Sequence, residues 1–348
     1  MSRDFCWSSN SFVGRFVNKF LFIVLLLCTW LSASCSAQKL PPAGNARPWS
    51  VAIAESFLQR HPGFVTYDSA SPNQKWNYEQ GFMLYALCRM WQHTGDSRYF
   101  DFVRRNLNHY ITGDGNISTY VSSDYNLDNI GPGRAVLALF DSLHLEKYGT
   151  AAAILRRQLN GQPRTKEGGF WHKKIYPDQM WLDGLFMAEP FYAEYISRFH
   201  EKERYDDIAN QFIWTYTHAH DTATGLLYHA WDESRSSRWA NPSTGCSPQF
   251  WARGMGWYLM GLVDVLENIP ADHPKRVQMI KIVQHVAEAL LKFRDDKTDF
   301  WYQVVDQGPR EGNYLETSAS AMFACAFAKG ASKGYLPHRY LDAHPGML

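Results

Sequence analysis

One pattern constrains this chain more than any other. A helix, a short polar turn, an Arg-Tyr pair and a second helix occur twice, first through His93-Thr94-Gly95-Asp96-Ser97-Arg98-Tyr99 and again through His200-Glu201-Lys202-Glu203-Arg204-Tyr205. A helix pair that recurs buries its apolar stripe against its neighbours, so the repeat predicts hairpins that stack or close into a ring. Apolar residues at i, i+3 and i+4 spacing extend the pattern. They predict helices over residues 51–58, 76–91, 99–110, 135–148, 151–159, 182–199, 205–220, 250–266, 274–293 and 315–329, with the start of another at 337–340. Short extended pieces are expected at 117–121, 226–232 and 301–305. The plain turns alternate with connections rich in unusual residues, as in a ring where one end of every hairpin faces a common mouth.

Residues 1–37 stand apart from this pattern. Arg15 and Lys19 precede an apolar run over residues 20–30, and Ser32-Ala33-Ser34-Cys35-Ser36-Ala37 follows. A basic start, a short apolar core and a small-residue site read as a secretory signal, cleaved after Ala37. The run is short for a membrane span. The chain is therefore expected in the periplasm or outside the cell, with lipidation at Cys35 as the alternative to a free form. The remainder, 38–348, reads as one domain. Cys88, Cys246 and Cys325 have no metal-ligand spacing and read as small buried hydrophobes. A formal net charge of +1 gives no electrostatic case for nucleic acid or an anionic membrane. No metal or organic cofactor is expected, and the chain is expected to be a monomer. Thirteen Trp and nineteen Tyr suit either a helical core or a surface for stacking sugar rings.

The densest chemistry lies in Tyr176-Pro177-Asp178-Gln179-Met180-Trp181-Leu182-Asp183-Gly184. Pro177 suits a first helical turn, so the run from Asp178 reads as a loop turning into a helix. Asp178 then reads as a first-turn carboxylate favoured by the helix dipole or as part of a substrate rim. Asp183, a turn further in among apolar neighbours, is the better candidate for a carboxyl of shifted pKa. Other unusual residues precede or open helices elsewhere: Asp128, His172, His229, and Trp251-Ala252-Arg253-Gly254-Met255-Gly256-Trp257. Singly, each has a plain reading. Asp128 suits an N-cap, His229 a satisfied core histidine, Arg253 a stacked arginine, and Trp257 a core side chain. Together they hold the parts for an acidic sugar. An Arg clamps the carboxylate, Trp stacks on the ring, and a carboxyl of raised pKa acts as acid.

Leu127-Asp128-Asn129-Ile130-Gly131-Pro132-Gly133-Arg134, the stretch around Asp183, Phe250-Trp251-Ala252-Arg253-Gly254-Met255-Gly256-Trp257 and Tyr314-Leu315-Glu316-Thr317-Ser318-Ala319 resemble glycoside hydrolase family 105. The resemblance runs from about Trp76 to Tyr340. It implies an all-α (α/α)6 barrel, and a hydrolase that removes 4,5-unsaturated uronyl residues from the oligosaccharides a lyase leaves, such as rhamnogalacturonan fragments. It assigns Asp183 to protonate C4 of the enol ether while water adds at C5, and matches Asp128 to a second essential Asp. Tyr78, His172, Trp181, His229, Trp251, Arg253 and Trp257 fall at substrate-binding positions. Chains of this family usually continue further, so the resemblance also implies that closing helices are missing here. Two other readings stay open: an inverting glycosidase acting on saturated sugars, and a sugar-binding protein without catalysis.

Overall fold

In a computed structural model of the chain, residues 48–65 and 75–341 are described. The leader with Cys35 and Ala37, residues 66–74 and the residues from 342 onward lie outside them. The chain divides into Met1–Ile53 and Ala54–Leu348. The first unit contributes the opening of one helix to the described residues, and the second carries everything below.

Ten α-helices are described: α1 (Trp49–Arg60), α2 (Tyr78–Thr94), α3 (Ser97–Tyr110), α4 (Gly133–Leu143), α5 (Glu146–Gly161), α6 (Leu182–Phe199), α7 (Tyr205–Ala219), α8 (Ala252–Val265), α9 (Arg276–Leu291) and α10 (Thr317–Ser332). Their burial separates them into two kinds. In α4 every residue from Gly133 to Leu139 is buried, and α6 and α8 are buried on nearly all sides. Helix α3 instead buries one stripe, Tyr99, Phe102, Val103, Asn106, Leu107 and Tyr110, at the spacing of a single face. The even-numbered helices are inner staves, packed in the order α2, α4, α6, α8, α10, and α3, α5 and α7 each lie against the inner helix before them. This is the all-α (α/α)6 toroid that the family resemblance implies, and the hairpin repeat agrees with it. Both Arg-Tyr turns join an inner helix to its outer partner, and Tyr99 and Tyr205 are both buried there.

The helix expected over 135–148 divides in two. His144 takes φ 53°, its N–H reaches the Phe140 carbonyl to end α4, and α5 begins at Glu146, absorbing Tyr148. Neither Gly nor Pro marks that break. The piece expected at 117–121 pairs only at Ile117, with Ile111.

Inner-to-outer turns are short, whereas outer-to-inner connections are long and lace the mouth together. The residue entering each inner segment gives its N–H to the next connection: Leu127 to the His172 carbonyl (3.1 Å), Leu182 to His229 (3.0 Å) and Ala252 to Gln303 (2.9 Å). Strands β1 (Gln179–Trp181) and β2 (Ala230–Asp232) pair antiparallel with Met180 opposite Trp231. Away from the mouth, Arg134 on α4 bonds Tyr85 Oη on α2 (2.6 Å), Glu194 on α6 (2.8 Å) and Asp264 on α8 (2.6 Å). Lys329 on α10 pairs with the same Asp264. One buried charge network thus touches all five inner helices among the described residues.

Candidate active site

Inner helices present their N-terminal ends to the mouth, where unpaired N–H groups and the helix dipole favour negative charge. Asp183 is the second residue of α6 and Arg253 the second of α8; Tyr78 opens α2 and Glu316 caps α10. Asp128 sits in the short 3-10 turn Leu127–Asn129 that leads into α4. Sequence positions scattered over more than two hundred residues therefore meet because each begins, or just precedes, an inner stave.

Asp183 Oδ2 lies 2.9 Å from His229 Nε2. A carboxylate can only accept, so Nε2 carries the proton in this bond. Burial pushes the Asp183 pKa up. The His229 hydrogen bond and the charges of His229 and His172 outweigh it and hold the carboxyl below its ordinary value. This corrects the expectation of a raised pKa: the apolar neighbours are real, but the histidine partner dominates. His172 is buried, which pulls its own pKa down, with the charges of Asp128 and Asp183 opposing. Its Nε2 stands 3.4 Å from Asp128 Oδ1, and Lys173 Nζ lies 2.6 Å from Asp128 Oδ2. Asp128 is not the N-cap. Pro132 stands at the N-cap of α4 with no side-chain cap, and Asn126 caps the 3-10 turn by accepting from the Asp128 N–H (3.0 Å), which leaves the Asp128 carboxylate to His172 and Lys173. Tyr78 is raised by burial and by the charges of Glu79, Asp128 and Asp183, against Arg253. Tyr78, both acids, both histidines and Arg253 thus lie within one electrostatic neighbourhood.

Aromatic rings hold this group in place. Trp181 is sandwiched between His172 (4.7 Å, 9°) and Tyr176 (5.0 Å, 11°), and its edge meets His229 at 5.3 Å. Trp251 meets the other side of His229 (4.8 Å, 74°), and the Arg253 guanidinium lies 4.8 Å from the Trp251 ring. Glycines make the approach possible. A Cβ on Gly184 would come 3.0 Å from His172 Nδ1, and one on Gly254 would come 3.1 Å from His229 Cδ2. Trp257 lies lower: it is buried against Phe82 (5.4 Å) and Phe186 (4.7 Å), edge-on to Tyr78. It floors the site, as its plain reading as a core side chain holds.

Asp178 belongs elsewhere. It precedes β1 with φ 61°, and α6 begins at Leu182, where the expectation over 182–199 placed it, so Asp178 lies outside its first turn. Its pKa is raised by burial and then by Glu233 and Asp232, a group away from Asp183. The first-turn reading of Asp178 is therefore wrong, because the strand pairing of Gln179 with Asp232 overrides the local Pro signal.

Sequence reasoning passed over Lys173, although it adjoins His172, and gave Glu316 no role. Glu316 Oε1 lies 3.4 Å from Arg253 Nη1 while Oε2 caps α10 at the Ala319 N–H. Beside His229 opens a cavity of about 290 Å³ lined by Trp181, His229, Trp239, Gln249 and Trp251, among others. Trp239 and Gln249 carry no motif that marks them. Among the described residues no group of three or more His, Cys, Asp or Glu side chains is arranged to hold a metal ion.

A family model described as Glycosyl Hydrolase Family 88 matches residues 49–344. A solved glycoside hydrolase of family 105 from C. acetobutylicum is 42% identical, with a TM-score of 0.81 over 85% of this chain and 80% of that one. Protein Atu3128 of Agrobacterium fabrum is 39% identical over 150 residues, 43% of this chain; the match spans 63% of that relative's length. The unsaturated rhamnogalacturonyl hydrolase YesR of Bacillus subtilis is 26% identical over 277 residues, 77% of this chain and 73% of its own.

Proposed function

The chain belongs to glycoside hydrolase family 105, and on that premise we propose that it removes a 4,5-unsaturated uronyl residue from lyase-generated oligosaccharides by hydrating the double bond. The observation that carries this reading is the Asp183–His229 pair, set at a helix N-terminus in the same mouth as Arg253. With one proton beyond the carboxylate and the neutral imidazole, as imidazolium beside carboxylate or imidazole beside carboxyl, the pair has a proton to transfer. Passed through Asp183 to C4, it leaves a cation at C5 stabilised by the ring oxygen. Water then bonds to C5 and returns its proton to the Asp183 carboxylate. The product is a C5 hemiketal. It opens to a ketone, and the exposed C1 hemiacetal releases the neighbouring sugar. No bond to the leaving sugar is broken by direct displacement, so no second carboxylate is needed as nucleophile, unlike ordinary glycosidases. Asp128, held by Lys173 and His172, suits hydroxyl recognition beside the alkene.

The direct test is incubation with lyase-treated rhamnogalacturonan. The near-UV absorbance of the alkene disappears if the reading is right, and persists if it is wrong. Cleavage of saturated oligosaccharides instead would favour a conventional inverting enzyme. The basic, apolar and small-residue order of residues 1–37 supports action after export, on pectin-derived fragments.

Arg253 is suited to the uronate carboxylate. Nη1 leans on Glu316, leaving other N–H groups of the fork for a two-point pair. Arg253→Lys keeps the charge and loses the fork. Its KM should rise roughly 10-fold to 100-fold, the worth of one charge-assisted hydrogen bond. Equal KM increases for the uronate and for its methyl ester would show that Arg253 does not read the carboxylate.

A further inference from the structure

The 290 Å³ cavity beside His229 differs in character from the mouth that holds the acids. Its lining includes Trp181, Trp239, Trp251, Pro248 and Gln249, and its one titratable side chain is His229. Asp128, Lys173, Asp183 and Arg253 do not line it. Three indoles and an amide suit the C–H face and hydroxyls of a pyranose, and no Lys or Arg lines the space to pair with a carboxylate. The amide is fixed: Gln307 Nε2 donates to Gln249 Oε1 (2.9 Å), which leaves Gln249 Nε2 as a donor.

Trp239 is the member without another task. It is half-buried, and no hydrogen bond or ring contact occupies its indole among the described residues. Its loop is nevertheless pinned. The fully buried Asp232 accepts from the N–H groups of Ser234 (2.8 Å), Arg235 (3.1 Å) and Ser237 (2.8 Å). Ser237 Oγ in turn takes Gln179 Nε2 at 2.8 Å, on the strand that leads directly into Asp183. A free aromatic face is thereby held in fixed relation to the reacting carboxyl.

We propose that this cavity is the subsite for the leaving-side sugar, that it takes an uncharged pyranose, and that Trp239 is its stacking platform and a determinant of specificity. The proposal rests on the hydration reaction assigned to Asp183. With the unsaturated ring in the charged mouth, the neighbouring ring crosses His229 into the aromatic cavity.

The test compares two compounds by loss of alkene absorbance: an unsaturated uronyl residue joined to a neutral hexose, and its methyl glycoside, which has no second ring. In Trp239→Ala the ratio of kcat/KM for the disaccharide to that for the methyl glycoside should fall about tenfold, the worth of one stacked aromatic face. Trp239→Phe should retain most of that ratio, which keeps the test valid if the alanine variant folds poorly. A disaccharide with a uronate in the second position should be a poorer substrate of the unaltered enzyme than the neutral one. An unchanged ratio in both variants, or equal acceptance of the acidic neighbour, overturns the subsite alone. An unaltered enzyme that consumes neither compound overturns the hydration reading, and the subsite with it.

Discussion

Asp183→Asn is expected to lower kcat by roughly 10³-fold, the range for loss of a positioned acid–base group, while oligosaccharide affinity changes little. Asn has the size of Asp, and its amide oxygen still accepts from His229 Nε2, so the 2.9 Å contact and the stacked His172, Trp181 and Tyr176 rings survive. What is lost is the carboxyl that passes a proton to carbon and takes one back from water. Single-turnover loss of the alkene and equilibrium binding of the uncleaved oligosaccharide separate the two effects. An affinity that falls as far as kcat would remove Asp183 from the chemistry. The His229 partner makes a second, independent signature. Burial alone raises the Asp183 pKa, and the hydrogen bond and charges of His229, with His172, reverse that. In the unaltered enzyme the carboxyl therefore titrates below the ordinary carboxylate range. In His229→Ala the hydrogen bond and charge that hold it down are gone, so the Asp183 pKa rises, which an NMR titration of the carboxyl carbon reads directly. A titration that stays in place would show that His229 does not set the state of Asp183.

Legibility in the sequence followed the range of the forces involved. The hairpin ring was readable because helical periodicity and the Arg-Tyr turns are local signals, repeated where the architecture repeats. Asp183 and Arg253 could be singled out as candidates because charged groups beside Trp at helix starts are costly and therefore informative, whereas His229 sits just before β2 and its partner shows only in the structure. Asp178 was misread for the opposite reason. Its conformation is set by β1 pairing with β2, some fifty residues away, and Pro177 carries no trace of that partner. The break at His144 was hidden because a non-glycine residue adopts φ 53° there. The lowered Asp183 pKa was also out of reach, since it depends on a histidine from another connection. Trp239 and Gln249 became visible only as walls of a shared space.

Removing one member of the buried charge network should be the largest blow to stability that a single polar substitution can deliver here. Arg134 and Asp264 are each nearly inaccessible, and Asp264 serves both Arg134 and Lys329. Asp264→Asn keeps the volume and takes the shared carboxylate from both cations, leaving Arg134 with Glu194 and Lys329 with Glu267. Breaking a buried pair in this way costs about 3–5 kcal/mol, or roughly 4–7 °C in Tm for a chain of this size. The pH dependence fixes the cause. Burial raises the Asp264 pKa, but Arg134 and Lys329 bring it below the ordinary value. The unfolded chain therefore binds that proton first as pH falls. The network's contribution is complete above the ordinary carboxylate pKa of about 4 and declines as pH drops through the lower folded-state value. The Tm difference between the unaltered protein and Asp264→Asn should thus be widest near neutral pH and narrow on the acid side below about pH 4. Thermal unfolding followed across that range decides the matter. A deficit of the same size at every pH would trace the loss to packing instead of charge. Because Tyr85, Arg134, Glu194, Asp264 and Lys329 come one from each inner stave, a loosened network should also let the mouth drift. Asp264→Asn should then lower kcat/KM well below the temperature at which the ring unfolds.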